Sequence, residues 1–458
     1  MDSIAVVGGG LVGSMAACFL ARKGYHVDVY EMRDDPRTQE QVVGKSINMA
    51  LSERGRSALR SLGLETQILE NYSIKMFARL IHDVSGRKRA IPYGTNRDQY
   101  LLSISRRYLN ELMLTEVEKF NNISVNFRHK LVGANLDEGK MTFLLDDDKQ
   151  RQRHQKADII IGCDGAFSSV RRAMVKLIRF NYSQQYIEHG YIELSIPPRA
   201  ADGQYAMEVN YLHIWPRGSF MMIALPNLDH SFTVTLFMPF RYYESILDRN
   251  DLLNFFKQYF PDSIPLIGEE ELVKVFFANS PQPLISIKCQ PYNYLDKVLL
   301  MGDAAHAMVP FFGQGMNCGF EDCLILDELL TANNNNLRKV LPVYSDQRLG
   351  NCHTIIDLAM DNYVEMRDLV NSRTFLVRKQ LDRLLNWVFP RHWIPLYSMV
   401  TFTRIPYQQC IQDRRWQDRV IARCQTVSIV TFLCTFLYVT YRTGKLNLLH
   451  DHLVLNFQ

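Results

Sequence analysis

Ile4-Ala5-Val6-Val7-Gly8-Gly9-Gly10-Leu11-Val12-Gly13 is an apolar strand that runs straight into glycines at the spacing G-x-G-x-x-G. Small and apolar residues then recur at helical spacing from Ser14 to Lys23, and a second strand, Tyr25 to Tyr30, ends at Glu31. A glycine pattern alone is a weak signal. With a strand before it, a helix after it and an acid closing the next strand, it predicts a dinucleotide-binding βαβ unit rather than a glycine-rich turn without ligand. Gly8 permits the tight turn, Gly10 lets backbone N–H groups approach a pyrophosphate, and Gly13 lets helix and strand pack closely. Glu31 stands where a carboxylate accepts hydrogen bonds from a ribose diol, and the helix N-terminus favours the phosphates.

Two more strand-turn units follow the same plan. Ala157 to Gly162 ends in Cys163-Asp164-Gly165-Ala166-Phe167-Ser168-Ser169-Val170-Arg171, and Lys297 to Met301 ends in Gly302-Asp303-Ala304-Ala305-His306, continuing through Val309-Pro310-Phe311-Phe312-Gly313-Gln314-Gly315-Met316-Asn317. Each puts a Gly/Asp turn at the C-terminal edge of a parallel-type strand, where open α/β sheets bind ligands.

In these three motifs and their order the chain resembles the class A flavoprotein monooxygenases, the aromatic hydroxylases with a glutathione-reductase-like FAD domain. The resemblance implies an α/β fold in which an inserted β-rich substrate domain accompanies the FAD-binding domain. It implies FAD held by Gly8, Gly10, Val12, Gly13, Tyr30, Glu31, Arg33, Ala50, Arg106, Leu131, Asp164, Ser169, Asp303, Gly315, Met316 and Asn317. Asp303 would hydrogen-bond the ribityl chain, Gly315 to Asn317 would start a helix near the flavin ring, and Asp164 with Gly165 would serve both FAD and the passing nicotinamide. Arg106 would lie near the phosphates, whereas Arg107 reads as a solvated helix-start arginine. With only one glycine fingerprint no separate nicotinamide domain is predicted, so NADPH would bind transiently over the FAD, with O2 as the second co-substrate. The flavin would carry the chemistry: NADPH reduces it, oxygen adds at C4a, and the hydroperoxide gives one oxygen to the ring. No metal and no catalytic side chain are called for, and His306 reads as part of a structural turn, with a general-base role as the alternative.

Met76 to His82 reads as a strand, with a turn at Ser85-Gly86 and a return over Ala90 to Tyr93. Alternation puts Phe77, Arg79 and Ile81 on one face, so a guanidinium is carried among apolar neighbours and needs a partner. That partner is either Asp83, in an internal ion pair, or a substrate carboxylate in a bidentate clamp. Apolar β segments over 180–285 could roof an aromatic-sized pocket. Lys45 to Asn48, Tyr211 to Pro216, Val309 to Asn317, Asn362 to Arg367 and Ile394 to Tyr397 resemble the branch of the family that hydroxylates L-kynurenine. That resemblance implies substrate binding by Arg79, Tyr93, Asn362 and Tyr397 at the amino-acid end and by Phe237, Pro310, Phe311 and Met366 at the aromatic end. Other readings are a different class A hydroxylase, an epoxidase, or a membrane-tethered FAD-binding redox sensor.

Across the chain, 458 residues predict about three structural units. An apolar fraction of 47% and a charged fraction of 22% exclude a disordered, fibrous or polytopic membrane protein, and a net charge of +4 is too small for a nucleic-acid footprint. The nine cysteines have no metal or redox spacing and read as free thiols, with Cys163, Cys318 and Cys323 in the core. The strand at Ser3 leaves no room for a targeting segment before it. Cys424 to Tyr441 is free of formal charge, with arginines before it and Arg442 and Lys445 after it. It reads as a single membrane anchor, with a buried helix as the alternative. The resemblance sets it in the outer mitochondrial membrane with the globular part facing the cytosol. The expected division is 1–75, 100–180 and 285–345 for FAD, 76–99 and 181–284 for substrate, 346–423 helical, and 424–442 as anchor. Asn333 to Asn336 reads as a polar loop and Asp146 to Asp148 as a hairpin tip. The sequence carries no signal of oligomeric state.

Overall fold

The computed structural model describes residues 2–38, 48–94, 99–145, 148–367 and 373–442. Lys45 to Ile47, Asp146, Asp147 and Lys445 lie outside the described residues.

Val- and Ile-rich runs with no polar alternation read as strands buried on both faces. Ser3–Val7, Ile159–Gly162 and Val298–Leu300 are such strands; they pair in parallel in one sheet with His26–Tyr30 and the edge strand Ile123–Asn126, which alternate or are half-buried, and Asn293–Tyr294 is added antiparallel at the other edge. Ser3–Val7 sits between His26–Tyr30 and Ile159–Gly162, so two of the glycine-bearing turns leave neighbouring strands at the same edge. The helix Leu11–Arg22, with the small residues Gly13, Ser14, Ala16 and Ala17 buried, packs on this sheet.

A second large sheet has seven strands. Its order is Gln282–Gln290, Asn181–Ile196, Phe232–Pro239, Met221–Pro226, Tyr211–Pro216, Ala78–His82 and Lys88–Pro92, antiparallel except where Tyr211–Pro216 meets Ala78–His82. Successive side chains point to opposite faces. Ile214, Met221 and Phe237 thus join the main core, while Trp215, Met222 and Leu236 join a second one. The second core is closed by helices that the apolar pattern of 180–285 concealed, Arg249–Tyr259, Ile264–Ile267 and Glu269–Ala278. The first is capped by Asp248, whose carboxylate accepts from the N–H groups of Asn250 at 2.7 Å and Asp251 at 2.9 Å.

The expected strand Met76 to His82 is two strands. Ser73–Met76 pairs with Leu101–Ser105 in a small sheet that also holds Asn48–Leu51, and Ala78–His82 belongs to the large one. The chain changes sheets at Phe77, whose N–H bonds Asn210 O at 3.0 Å and whose half-exposed ring meets Tyr100 edge-on, whereas Arg79 is buried.

The C-terminal part is helical: Leu337–Arg367, Arg373–Val388, Leu396–Phe402 and Tyr407–Arg442. The last runs through positions 423 and 424 without a break. It is the one helix among the described residues long and apolar enough to cross a membrane, and none of its apolar window is buried. The buried-helix alternative therefore fails.

Candidate functional site

Steric necessity explains the glycines. Gly8 has φ +105°, and a Cβ there would lie 2.4 Å from Cys163 O; at Gly13 a Cβ would lie 1.8 Å from Gly8 O. Gly10 differs, because a Cβ on it would meet nothing within 4 Å. It faces a cleft of about 600 Å³ lined by Gly9, Gly10, Glu31, Arg33, Asp34, Asn110, Lys130 and others. Glu31 accepts from Gly9 N at 2.8 Å and Arg33 N at 3.0 Å, which fixes its carboxylate at the mouth. Asn110 Oδ1 is buried there without a partner among the described residues. An open, glycine-walled cleft with a fixed carboxylate and an unanswered polar atom fits the adenosine diphosphate end of FAD.

Several of the other expected FAD residues have side chains engaged within the fold. Tyr30 turns its ring inwards onto Phe143, 4.3 Å between centroids, and burial pushes its hydroxyl up to about 12. Leu131 is buried on the strand beside it. Val12 is wedged between glycines: a Cβ on Gly319 would come 2.5 Å from its Cγ2, and one on Gly302 3.0 Å. The amide of Asn317 is fully engaged, donating to Ala50 O at 2.8 Å and Gly313 O at 2.6 Å and accepting from Ser52 N at 2.8 Å. It clamps the strand Asn48–Leu51 to the start of the helix Gly315–Ala332, where Gly315 and Met316 stand. Asp303 opens the short helix Asp303–His306, exposed beside Gly302 at φ +60°. Asp164 caps the helix Ser169–Val175, accepting from Ser169 N at 2.6 Å and Val170 N at 3.2 Å, while burial pushes its carboxyl up. Arg106 is exposed on the first turn of Arg106–Val117, within electrostatic reach of Glu193. Arg107 is not simply solvated, since it bonds Glu111 at 2.6 Å and Pro36 O at 3.2 Å.

Arg171 closes the second motif, and nothing in the sequence announces its role. Buried, it donates to Ala304 O at 2.6 Å and Ala166 O at 2.5 Å, tying the second turn to the third.

His306 is buried and engaged inside the fold. Its Nε2 lies 2.6 Å from Asp322, which also accepts from Gly302 N at 3.0 Å and from Arg348 at 2.7 Å. Burial opposes protonation of His306, but the Asp322 carboxylate overrides it and holds the imidazole well above its ordinary value. Asp322 is pulled down to about 2 by His306 and Arg348 against the effect of burial. Cys318 and Cys352 join this cluster, 3.9 Å apart, and all nine cysteines are free. The Arg348 guanidinium, 3.3 Å from Cys318 Sγ, supplies the positive charge that a cation would bring.

The residues expected to bind substrate lie on and against the large sheet. Arg79 is buried, with its guanidinium over the Tyr397 ring at 4.4 Å and Nη1 donating to Glu365 at 3.1 Å. The internal-partner alternative named the wrong acid, because Asp83 bonds Ser85 and Arg87 instead. Burial works against the charge of Arg79, but Tyr397, Glu365 and Tyr93 outweigh it and raise its pKa. Tyr93 stacks on Tyr397 at 5.6 Å, and its hydroxyl has no hydrogen-bond partner among the described residues. Phe237 meets Phe311 edge-on at 5.1 Å, and Phe311 stacks on Tyr363 at 3.7 Å. Asn362, expected at the amino-acid end, instead donates to Phe311 O at 2.7 Å and to Met366 Sδ at 3.2 Å, so its amide is spent on bracing the aromatic wall; Pro310 is exposed. Two charged neighbours were not foreseen: Glu365, and Lys379, which burial and then the Arg79 charge push down to about 7.

A profile of the family described as FAD binding domain matches residues 2–359. The kynurenine 3-monooxygenase of Anopheles gambiae is 51% identical over 458 residues, covering 99% of this chain and 94% of that protein. The kynurenine 3-monooxygenase of Sus scrofa is 55% identical over 419 residues, 92% of this chain and 88% of that one. Among solved structures, 2-methyl-3-hydroxypyridine-5-carboxylic acid oxygenase has the same fold, with a TM-score of 0.65 at 20% identity over 80% of this chain and 93% of its own. The chain belongs to the kynurenine 3-monooxygenase family of FAD-dependent monooxygenases.

Proposed function

We propose that this chain hydroxylates L-kynurenine to 3-hydroxykynurenine at the expense of NADPH and O2. The observation that carries the substrate assignment is the buried Arg79, paired with the Glu365 carboxylate and set over the Tyr397 ring. A substrate bearing only a ring has no use for a desolvated guanidinium, which needs a compensating charge. An α-amino acid supplies one of each sign. Its carboxylate takes the place of Glu365 on Arg79, with the Tyr93 hydroxyl as a further donor, and the freed Glu365 receives the ammonium group. Phe237 and Phe311 then orient the ring, braced by Asn362 and Met366. Bound FAD supplies reduction by NADPH and the transfer of one oxygen atom from O2. The chain contributes orientation, exclusion of water by the roof sheet, and N–H groups at the start of Gly315–Ala332 that favour negative charge close by.

For the cofactor we assign Glu31 and Gly10 to the adenosine end, Asp303 to the ribityl chain and Gly315 to Asn317 to the ring. The division into a discontinuous FAD part (1–75, 100–180, 285–345) and a substrate part (76–99, 181–284) belongs to the same reading. So do the anchor at 424–442 and its seat in the outer mitochondrial membrane, facing the cytosol. The test is NADPH oxidation by detergent-solubilised, FAD-loaded protein with and without L-kynurenine. Stimulation supports the reading; an NADPH oxidation rate indifferent to every aromatic amino acid leaves a flavin-binding redox sensor instead.

A further inference from the structure

The helix Arg373–Val388 is built inside out. Positions 377, 384 and 388 recur at i, i+7 and i+11, with 387 beside them, so they share one face. That face is bare: Val377 is 70% exposed, Leu384 56%, Trp387 74% and Val388 48%, continuing into Phe389 at 52%. The opposite face is the polar one and turns to the protein. Asp382, 6% exposed, accepts from Trp393 Nε1 at 3.0 Å and pairs with Arg378 at 3.0 Å and Arg414 at 3.2 Å. Asn386 donates to Trp393 O at 2.7 Å. A helix on a water-facing surface has the reverse polarity, and large exposed apolar patches mark an interaction surface.

The other partners of that polar face say what covers the apolar one. Arg378 pairs with Asp418 at 2.9 Å, Gln417 donates to Ile394 O at 2.9 Å, and the Trp393 and Trp416 rings lie 5.8 Å apart. The helix is therefore bolted to the 414–418 turns of Tyr407–Arg442. Asp418 lies six residues before Cys424, about 9 Å along the helix axis from the start of the charge-free stretch. Arg391, Arg415, Arg419 and Arg423 are exposed around this joint, a cationic rim suited to anionic headgroups. Exposed tryptophans belong at the same level.

We propose that Arg373–Val388 is a second membrane contact: it lies against the lipid surface beside the anchor, with Val377, Leu384, Trp387 and Val388 among the headgroups and upper acyl chains. The inference rests on reading Tyr407–Arg442 as an anchor. The helix then sits between lipid on one side and, through Lys379, the Arg79–Glu365 pair on the other.

The test reconstitutes the full chain in phosphatidylcholine–phosphatidylserine vesicles whose acyl chains carry bromine, a contact quencher of tryptophan. Trp215 and Trp393 are buried, so the quenchable emission belongs to Trp387 and Trp416. Trp387→Phe should remove about half of it, and Leu384→Trp in that background should restore it. Undiminished quenching in Trp387→Phe overturns the proposal. So does a Trp387 that is hidden from aqueous acrylamide yet untouched by bromine and dependent on protein density, the sign of a second copy on this face. Failure of the chain to float with vesicles would sink the anchor reading, and this one with it; flotation without Trp387 quenching sinks only this one.

Discussion

Replacing Arg79 by Lys keeps the positive charge in the buried site but removes the planar fork. The side chain is 4% exposed and held between Glu365 and the Tyr397 ring, so it has little freedom to compensate. A lysine offers a point charge where the carboxylate of kynurenine needs two parallel donors. Losing one charge-assisted hydrogen bond in a desolvated site removes about 1.5–3 kcal/mol. At roughly 1.4 kcal/mol per tenfold, kcat/KM for L-kynurenine should fall roughly 10- to 150-fold, chiefly through KM. The assay is steady-state NADPH consumption, run in parallel with kynurenine amide, which lacks the carboxylate. The amide should be a poor substrate of both proteins and nearly indifferent to the substitution. Equal losses for acid and amide, at unchanged flavin content, would refute the clamp.

Gly13→Ala should abolish flavin retention, because its Cβ would fall 1.8 Å from Gly8 O and force the first helix off the strand; the flavin-to-protein absorbance ratio reads this directly. Asn317→Ala orphans Ser52 N, Ala50 O and Gly313 O in a buried joint, and should lower stability in urea by about 2–4 kcal/mol while weakening flavin binding. His213 is buried, donates to Glu208 O at 2.7 Å, and is pushed down to about 4 by burial. An unfolded histidine titrates near 6.5, so between these values the unfolded chain binds the extra proton and stability falls as pH falls. About 2 kcal/mol of this effect should be present at pH 5 relative to pH 7, and His213→Gln should flatten the pH dependence of the urea midpoint.

The cofactor half was legible because its demands are local: a glycine with nowhere to put a Cβ, an acid eighteen residues beyond Gly13, and strands too apolar to lie anywhere but inside a parallel sheet. What escaped depends on distant pairing. Glu365 is 286 residues from Arg79, and no spacing rule links them. Nor does any pattern in Asn317 announce that its amide would clamp Ala50, Gly313 and Ser52 rather than face a ligand. Phe77 looked like strand because alternation is blind to a change of sheet, and the helices after Arg249 were masked by aromatics that suit either state. The bare face of Arg373–Val388 is an ordinary amphipathic pattern in sequence; only its orientation in the fold makes it unusual.

The most direct measurement is the fate of labelled oxygen. Turnover of L-kynurenine under ¹⁸O2 with NADPH, followed by mass and ring-proton spectra of the product, should give 3-hydroxykynurenine carrying a single heavy oxygen at the carbon ortho to the ring amine. Label found only in water or hydrogen peroxide, with kynurenine recovered intact, would contradict the account.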